Sequence, residues 1–198
     1  MGFREKMRDN PATNSLYCRL RDMKHDYYHR KNTSTKYNFT NRSTGKNKCC
    51  IIIAGYKSFV WDTVFPRIKK FIPEDIDVCV VSSGLYSEEL DKICSENDWS
   101  YLSTNRNNVS VAQNVAIDLM KDAEFFYKLD EDIFVTDGYF QSLMDTYNNV
   151  KRNGEYDIGF VAPLIPINGY GHLRLLKRLG LTDLYAEKFE RPIYASYS

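Results

Sequence analysis

The sequence predicts an α/β domain built on a mostly parallel sheet with helices on both faces. Three observations predict it. From residue 49 onward, apolar runs of strand length alternate with amphipathic, helix-like segments. The runs Cys49-Cys50-Ile51-Ile52-Ile53 and Val78-Cys79-Val80-Val81 are apolar without alternation, as strands buried on both faces are. Each run then stops at small, polar or acidic residues, which suit the exposed carboxyl edge of such a sheet.

Taken in order, residues 1–48 read as a basic N-terminal arm or helical extension and residues 49–198 as the folded domain. The arm holds 12 Lys/Arg against 4 Asp/Glu, and the remainder 15 against 22. Residues 16–28 can form a short helix, whereas residues 32–48 are polar and aperiodic. The arm is therefore expected to be a solvated extension. Residues 1–40 are expected to be dispensable for ligand binding, with attraction to an anionic membrane face or an acidic partner as the arm's functional role. Nothing resembling a reading helix accompanies the charge, so nucleic acid is not expected as a partner.

Order is expected to begin at Cys49. The first strand ends at Ala54-Gly55, and an amphipathic helix over 59–71 follows, with Pro66 expected to kink or split it. Residues 76–81 form the second strand, ended by Ser82-Ser83-Gly84. Ser87 caps the next helix. Residues 99–102 are the third strand, and Ser110 caps a helix over 111–120 with Val111, Val115 and Leu119 on one side. Phe125-Phe126-Tyr127-Lys128-Leu129 is the fourth strand. Asp137 caps a helix to about residue 149, and residues 157–162 read as a fifth strand before Pro163.

Composition fits this plan. The 198 residues suit one domain with a real core, and 43% hydrophobic residues with a net charge of +1 are ordinary for a globular chain. No apolar run approaches the length of a membrane span, and the N-terminus lacks a signal-peptide core. The five cysteines show no paired spacing, and three of them, in strand-like or helix-like apolar runs, read as reduced core residues. A cytoplasmic location, membrane-peripheral through the arm, is the expectation. The glycosylation patterns at Asn32, Asn38, Asn41 and Asn108 then read as accidents of an Asn/Ser-rich chain. There is no internal repeat and no Gly-rich phosphate loop of standard spacing.

The chemistry concentrates in Asp130-Glu131-Asp132. Carboxylates are costly to bury unless paired or metal-bound, so three in a row at a strand end should project from the sheet edge. Alternation sets Asp130 and Asp132 on one side and Glu131 on the other. Two hard oxygen ligands at a strand end suit Mg²⁺ or Mn²⁺ clamped on a diphosphate; the plain alternative is an acidic turn. Ala54-Gly55-Tyr56-Lys57 and Ser82-Ser83-Gly84 should share that edge. Small residues there let a flat ligand approach, Tyr56 can stack on a base, and hydroxyls can bind a ribose or base edge. Lys128 is expected to alternate away from the acids.

These segments, in this order, resemble GT-A-fold glycosyltransferases of the family-2 type over about residues 49–165. Cys50-Ile51-Ile52-Ile53-Ala54-Gly55-Tyr56 looks like their opening strand and nucleotide loop. Asn107-Asn108-Val109-Ser110-Val111-Ala112-Gln113-Asn114 resembles their Gly-Gly-Val-Ser-Ala-Ala-Arg-Asn segment. Asp130-Glu131-Asp132 falls where they carry Asp-x-Asp. The resemblance implies a GT-A (nucleotide-diphospho-sugar transferase) fold and a metal-dependent glycosyltransferase in polysaccharide or glycan synthesis. The donor would be a nucleotide-diphosphate sugar, UDP-sugar ahead of GDP-sugar, and the acceptor a saccharide. It implies nucleotide contacts at Ala54, Gly55, Tyr56, Ser82, Ser83, Gly84, Asn108, Gln113 and Asp130, with Mn²⁺ or Mg²⁺ on Asp130 and Asp132.

The sequence also departs from that pattern. Ser82 and Ser83 stand where relatives carry an acid, and Gln113 where they carry an Arg. Inverting transfer, preferred here over retaining, needs a base to activate the acceptor hydroxyl. Only 66 residues follow Asp132, and they offer Glu187 and Glu190 as base candidates, with Asp183 nearby, in a helical stretch that otherwise reads as solvated surface. His172, in the loop Asn168-Gly169-Tyr170-Gly171-His172, reads as an exposed histidine rather than a further metal ligand. The chain is expected to be the nucleotide-binding portion of a longer enzyme or an unusually short one. Two alternatives stand beside the transferase: a non-catalytic nucleotide-sugar-binding module, and a sugar-nucleotide nucleotidyltransferase, for which the loop after the first strand is a poor substitute.

Overall fold

Five strands form one sheet: β1 (Tyr37–Thr40), β2 (Lys48–Ala54), β3 (Asp77–Ser83), β4 (Ser100–Thr104) and β5 (Phe125–Asp130). Their order is β1-β4-β3-β2-β5, with β1 antiparallel to β4 and all other neighbours parallel. The structure is a computed structural model that describes residues 10–154, 157–163 and 175–188. The chain divides into two units, 1–140, which holds the sheet, and 141–198.

The predicted α/β class with a mostly parallel sheet holds. The central strands are continuous apolar runs because both of their faces are covered. Odd positions Cys49, Ile51, Cys79 and Val81, with Leu102 in register beside Val81 on β4, form one core cluster with Ala112 and Ala116 of the helix Val109–Leu119 and with Met120. Even positions Cys50, Ile52, Val78 and Val80 point to the other face and are also buried. Each fully buried Val, Ile or Leu contributes about 1.5–3 kcal/mol relative to exposure. The five cysteines are free thiols; burial raises the Cys49 and Cys94 thiols to about 12, with Asp77 adding to the rise at Cys49.

Six α-helices are described: α1 (Pro11–Thr33), α2 (Trp61–Phe71), α3 (Glu88–Glu96), α4 (Val109–Leu119), α5 (Tyr139–Asn153) and α6 (Thr182–Lys188). Pro66 does not split its helix. A 3₁₀ turn, Ser58–Val60, leads into α2, which runs through Pro66. Pro66 and Asp62 are both exposed, so the Asp62 carbonyl that loses its partner N–H lies on the wet side. Ser87 caps α3 as predicted, accepting from the Leu90 N–H at 3.2 Å. The cap of α4 is Asn108 rather than Ser110: its extended backbone places Oδ1 3.1 Å from the Val111 N–H.

Two expectations are corrected. Residues 157–163 form no strand, and Phe160 is 85% exposed. An apolar run becomes a strand only when a neighbour pairs with it, and Gly159 and Pro163 break this one. Order also begins well before Cys49. The aperiodic segment supplies edge strand β1, and Lys36 O and Thr35 Oγ1 accept from the Asn105 and Arg106 N–H groups. Arg42 donates to Trp99 O and Ser100 Oγ. The Thr44 N–H, Thr44 hydroxyl and Lys46 N–H converge on the buried Asp77 carboxylate at 3.0–3.1 Å. Burial pushes Asp77 up, but these donors and the Lys46 ammonium outweigh it and hold the carboxyl below its ordinary value. Hydrogen bonds, together with Phe39 packed against the core cluster, fix residues 35–48.

Candidate functional site

The strand order reverses at β2. The chain first moves outward through β3 and β4, then returns to place β5 on the other flank of β2. In a doubly wound sheet this reversal opens a crevice at the carboxyl ends of the two strands. Here it brings Ala54-Gly55-Tyr56-Lys57 beside Asp130-Glu131-Asp132, segments more than seventy residues apart in sequence.

Glu131 locks the two together. The sequence reading assigned it no role beyond facing away from its neighbours. In the structure its side chain turns into the loop after β2 and is 6% exposed. It accepts from Gly55 N at 2.8 Å, Tyr56 N at 3.1 and 3.3 Å and Trp61 Nε1 at 2.7 Å, while its own N–H donates to Ile53 O. Consecutive N–H groups around a carboxylate form an anion-binding concavity, filled here from within the fold. A single acid between two exposed ones, six residues into an apolar run, was the available signal.

Tyr56 is thereby fixed at both ends. Its N–H is held by Glu131 and its hydroxyl donates to Ser83 O at 2.8 Å, yet the residue remains 60% exposed. An aromatic ring held in place and open to solvent is a stacking platform. Ala54 is buried, and Gly55 has φ +141, with the Leu85 side chain 3.3 Å from where a Cβ would stand.

The strand-end serines face inward. Ser82 Oγ donates to Leu85 O and shares a bond with Tyr101 Oη, and Ser83 Oγ accepts from Asn108 N. Both residues are buried. Gly84 has φ +81, and a Cβ there would lie 2.5 Å from Asn107 Cβ, so this position admits only glycine. The three residues shape the edge instead of presenting hydroxyls on it. A polar cleft of about 260 Å³ opens beside them, lined by Gly84, Leu85 and Tyr86 together with the amides of Asn38 and Asn105, neither of which the sequence marked as a ligand contact. Asn108 contributes its side-chain oxygen to the α4 cap, and Gln113 is half-buried on that helix.

Asp130 ends β5 and the backbone turns at once, with the Ile133 N–H donating to Asp130 O. Both flanking acids are partly exposed, and each meets a lysine: Lys57 Nζ lies 2.5 Å from Asp132 Oδ2, and Lys128 Nζ 2.5 Å from Asp130 Oδ1. The Lys57 ammonium holds the Asp132 carboxyl below its ordinary value against partial burial, and Asp132 in turn raises Lys57. The expectation for Lys128 is corrected. Residues 128 and 130 are two apart, so a period of two sets them on the same side.

Among the described residues no three acidic, His or Cys side chains gather around a metal-sized point. Two carboxylates on an open edge nevertheless fit the way Mg²⁺ and Mn²⁺ are held, with one or two protein ligands and the remaining positions left to phosphate and water. Glu187 is exposed on α6, in the second unit. Glu190, His172 and the loop before it lie outside the described residues.

No family model, curated protein or solved structure matches the chain. The class that fold and site define is therefore an α/β domain with a mostly parallel sheet, whose exposed aromatic and paired acid–lysine groups stand at the strand-order reversal.

Proposed function

We propose that this edge binds a nucleoside diphosphate sugar and that the protein is a metal-dependent glycosyltransferase of GT-A type, transferring the sugar to a saccharide. The observation that carries the reading is the juxtaposition made by Glu131: an immobilised, exposed Tyr56 ring on one side and the Asp130–Asp132 pair on the other. Those are the two ends a nucleoside diphosphate needs, a flat apolar surface for a base and a cation-holding group for the phosphates. The cleft beside Gly84 adjoins the Tyr56 hydroxyl's partner Ser83 and offers amides to a polar base edge.

Asp130 and Asp132 would hold Mn²⁺ or Mg²⁺. When bound, the ion supplies charge neutralisation for the departing diphosphate. Lys57 and Lys128, which pair with Asp132 and Asp130, would add positive charge beside the diphosphate. Glu131 holds the loop that carries Tyr56 in place. Glu187 and Glu190 remain the base candidates for inversion, with UDP preferred over GDP by the resemblance of the motifs.

A thermal-shift panel of nucleoside diphosphates, each with and without Mn²⁺, tests the reading. UDP or GDP with Mn²⁺ raises the melting temperature, because ligand binding stabilises the native state by mass action. Asp132→Asn abolishes the shift while the free protein stays folded, since the side chain is 39% exposed. Absence of a metal-dependent shift with every nucleotide, or an unchanged shift in the variant, refutes it.

A further inference from the structure

The 23-residue helix α1 carries an apolar stripe that the fold leaves uncovered. Leu16, Leu20, Met23 and Tyr27 are 54, 53, 68 and 62% exposed. Their spacings of four, three and four residues place them within an arc of about 60° on the helix. Arg19 and Lys24 stand roughly 70° to either side of the centre of that arc, Asp26 stands about 90° from it on the Arg19 side, and His25 stands nearly opposite it. Residues 11–33 hold five Lys/Arg against two Asp/Glu, within a segment, 1–48, that carries 12 against 4. No described helix is long and apolar enough to cross a membrane.

We propose that α1 is a membrane-surface helix that lies in the headgroup layer of an anionic bilayer, with this stripe facing the acyl chains. Charge complementarity selects the occupant. The stripe is too narrow to hold the protein on lipid by itself, but it is bordered by long cationic side chains whose stems lie along apolar surface while their heads reach phosphates. Tyr27, at the C-terminal end of the stripe, is the kind of amphipathic aromatic that settles at a bilayer interface. Each Lys or Arg near an anionic leaflet strengthens binding roughly fivefold, so the charge and the stripe together suffice where neither does alone. A second copy of the helix fits less well. Two like-charged helices would meet, a parallel pairing would set Arg19 against Lys24 of the other copy, and four stripe residues span about two heptads where stable pairing takes three or four.

The proposal requires neither nucleotide nor metal, so it stands or falls apart from the transferase reading. The full chain is mixed with vesicles of phosphatidylcholine alone or of phosphatidylcholine with phosphatidylserine, and binding is read by co-sedimentation at low and high salt. Binding is expected only to the anionic vesicles, falling at least tenfold in the neutral ones and at high salt. The double variant L20E/M23E is expected to lose at least tenfold while circular dichroism and melting stay unchanged. In Met23→Trp, the added indole's emission is expected to shift to the blue on anionic vesicles, which reports insertion even if the double variant misfolds. No binding to anionic vesicles overturns the proposal. So does binding unaffected by L20E/M23E with no spectral shift at position 23, which leaves only diffuse charge attraction. A dimer in solution that the double variant dissolves assigns the stripe to a second copy and overturns it equally.

Discussion

Replacing Glu131 by Gln removes one charge and almost no volume, so it isolates the lock between the two halves of the site. Oε2 accepts from Gly55 N at 2.8 Å and Trp61 Nε1 at 2.7 Å, and Oε1 accepts from Tyr56 N at 3.1 Å. The amide oxygen of Gln can replace only one carboxylate oxygen. Its best orientation keeps Gly55 and Trp61 and turns an NH₂ group toward the Tyr56 N–H, donor against donor. One charge-assisted bond is lost and two weaken to neutral strength, for a cost of about 2–4 kcal/mol. For a chain of this size that corresponds to a fall of roughly 4–16 °C in melting temperature. Urea unfolding followed by tryptophan fluorescence measures it, because the Trp61 indole bonds to the altered group. Trp61→Phe closes a double-mutant cycle, with an expected coupling of about 1.5–3 kcal/mol for a hydrogen bond to a charged group. A stability change under about 0.5 kcal/mol, the level of an ordinary surface substitution, refutes the lock.

Two further outcomes follow from the segment before β2. Asp77 titrates below its ordinary value of 3.8 in the folded state, so its contribution is complete above that pH and vanishes as pH falls through the folded value. Asp77→Asn is therefore expected to cost about 2–3 kcal/mol at neutral pH, with wild type and variant converging in acid urea titrations below the ordinary aspartate range. Truncation separates the helix from the edge strand. A chain starting at residue 35 keeps β1 and is expected to melt like the full protein. A chain starting at residue 42 loses the four β1–β4 residue pairs and exposes β4, for roughly 3–5 kcal/mol and a tendency to aggregate through the new edge. Equal melting of the two truncations would show that β1 contributes nothing.

The sequence by itself determined the class of fold and the place of the edge. Cys49–Ile53 and Val78–Val81 are apolar at every position, which only a strand covered on both faces requires. The breaks at Gly55, Gly84 and Asp130 then fix where those strands end. Local chemistry also fixed the Ser87 cap. It did not fix what pairs with what. Residues 37–40 become a strand because β4 offers an open edge, and residues 157–162 do not, despite their apolar character; β-pairing energy resides in the partner, not in the run. The role of Glu131 was hidden for the same reason. A period of two states which side of a strand a carboxylate leaves by, but the N–H groups it meets belong to a loop seventy-six residues away. Ser82 and Ser83 look like ligand hydroxyls until Tyr101, Leu85 and Asn108 are brought against them. Sequence carries short-range preference and periodicity; which polar atoms are satisfied internally and which stay open to a ligand is decided only when the strands assemble.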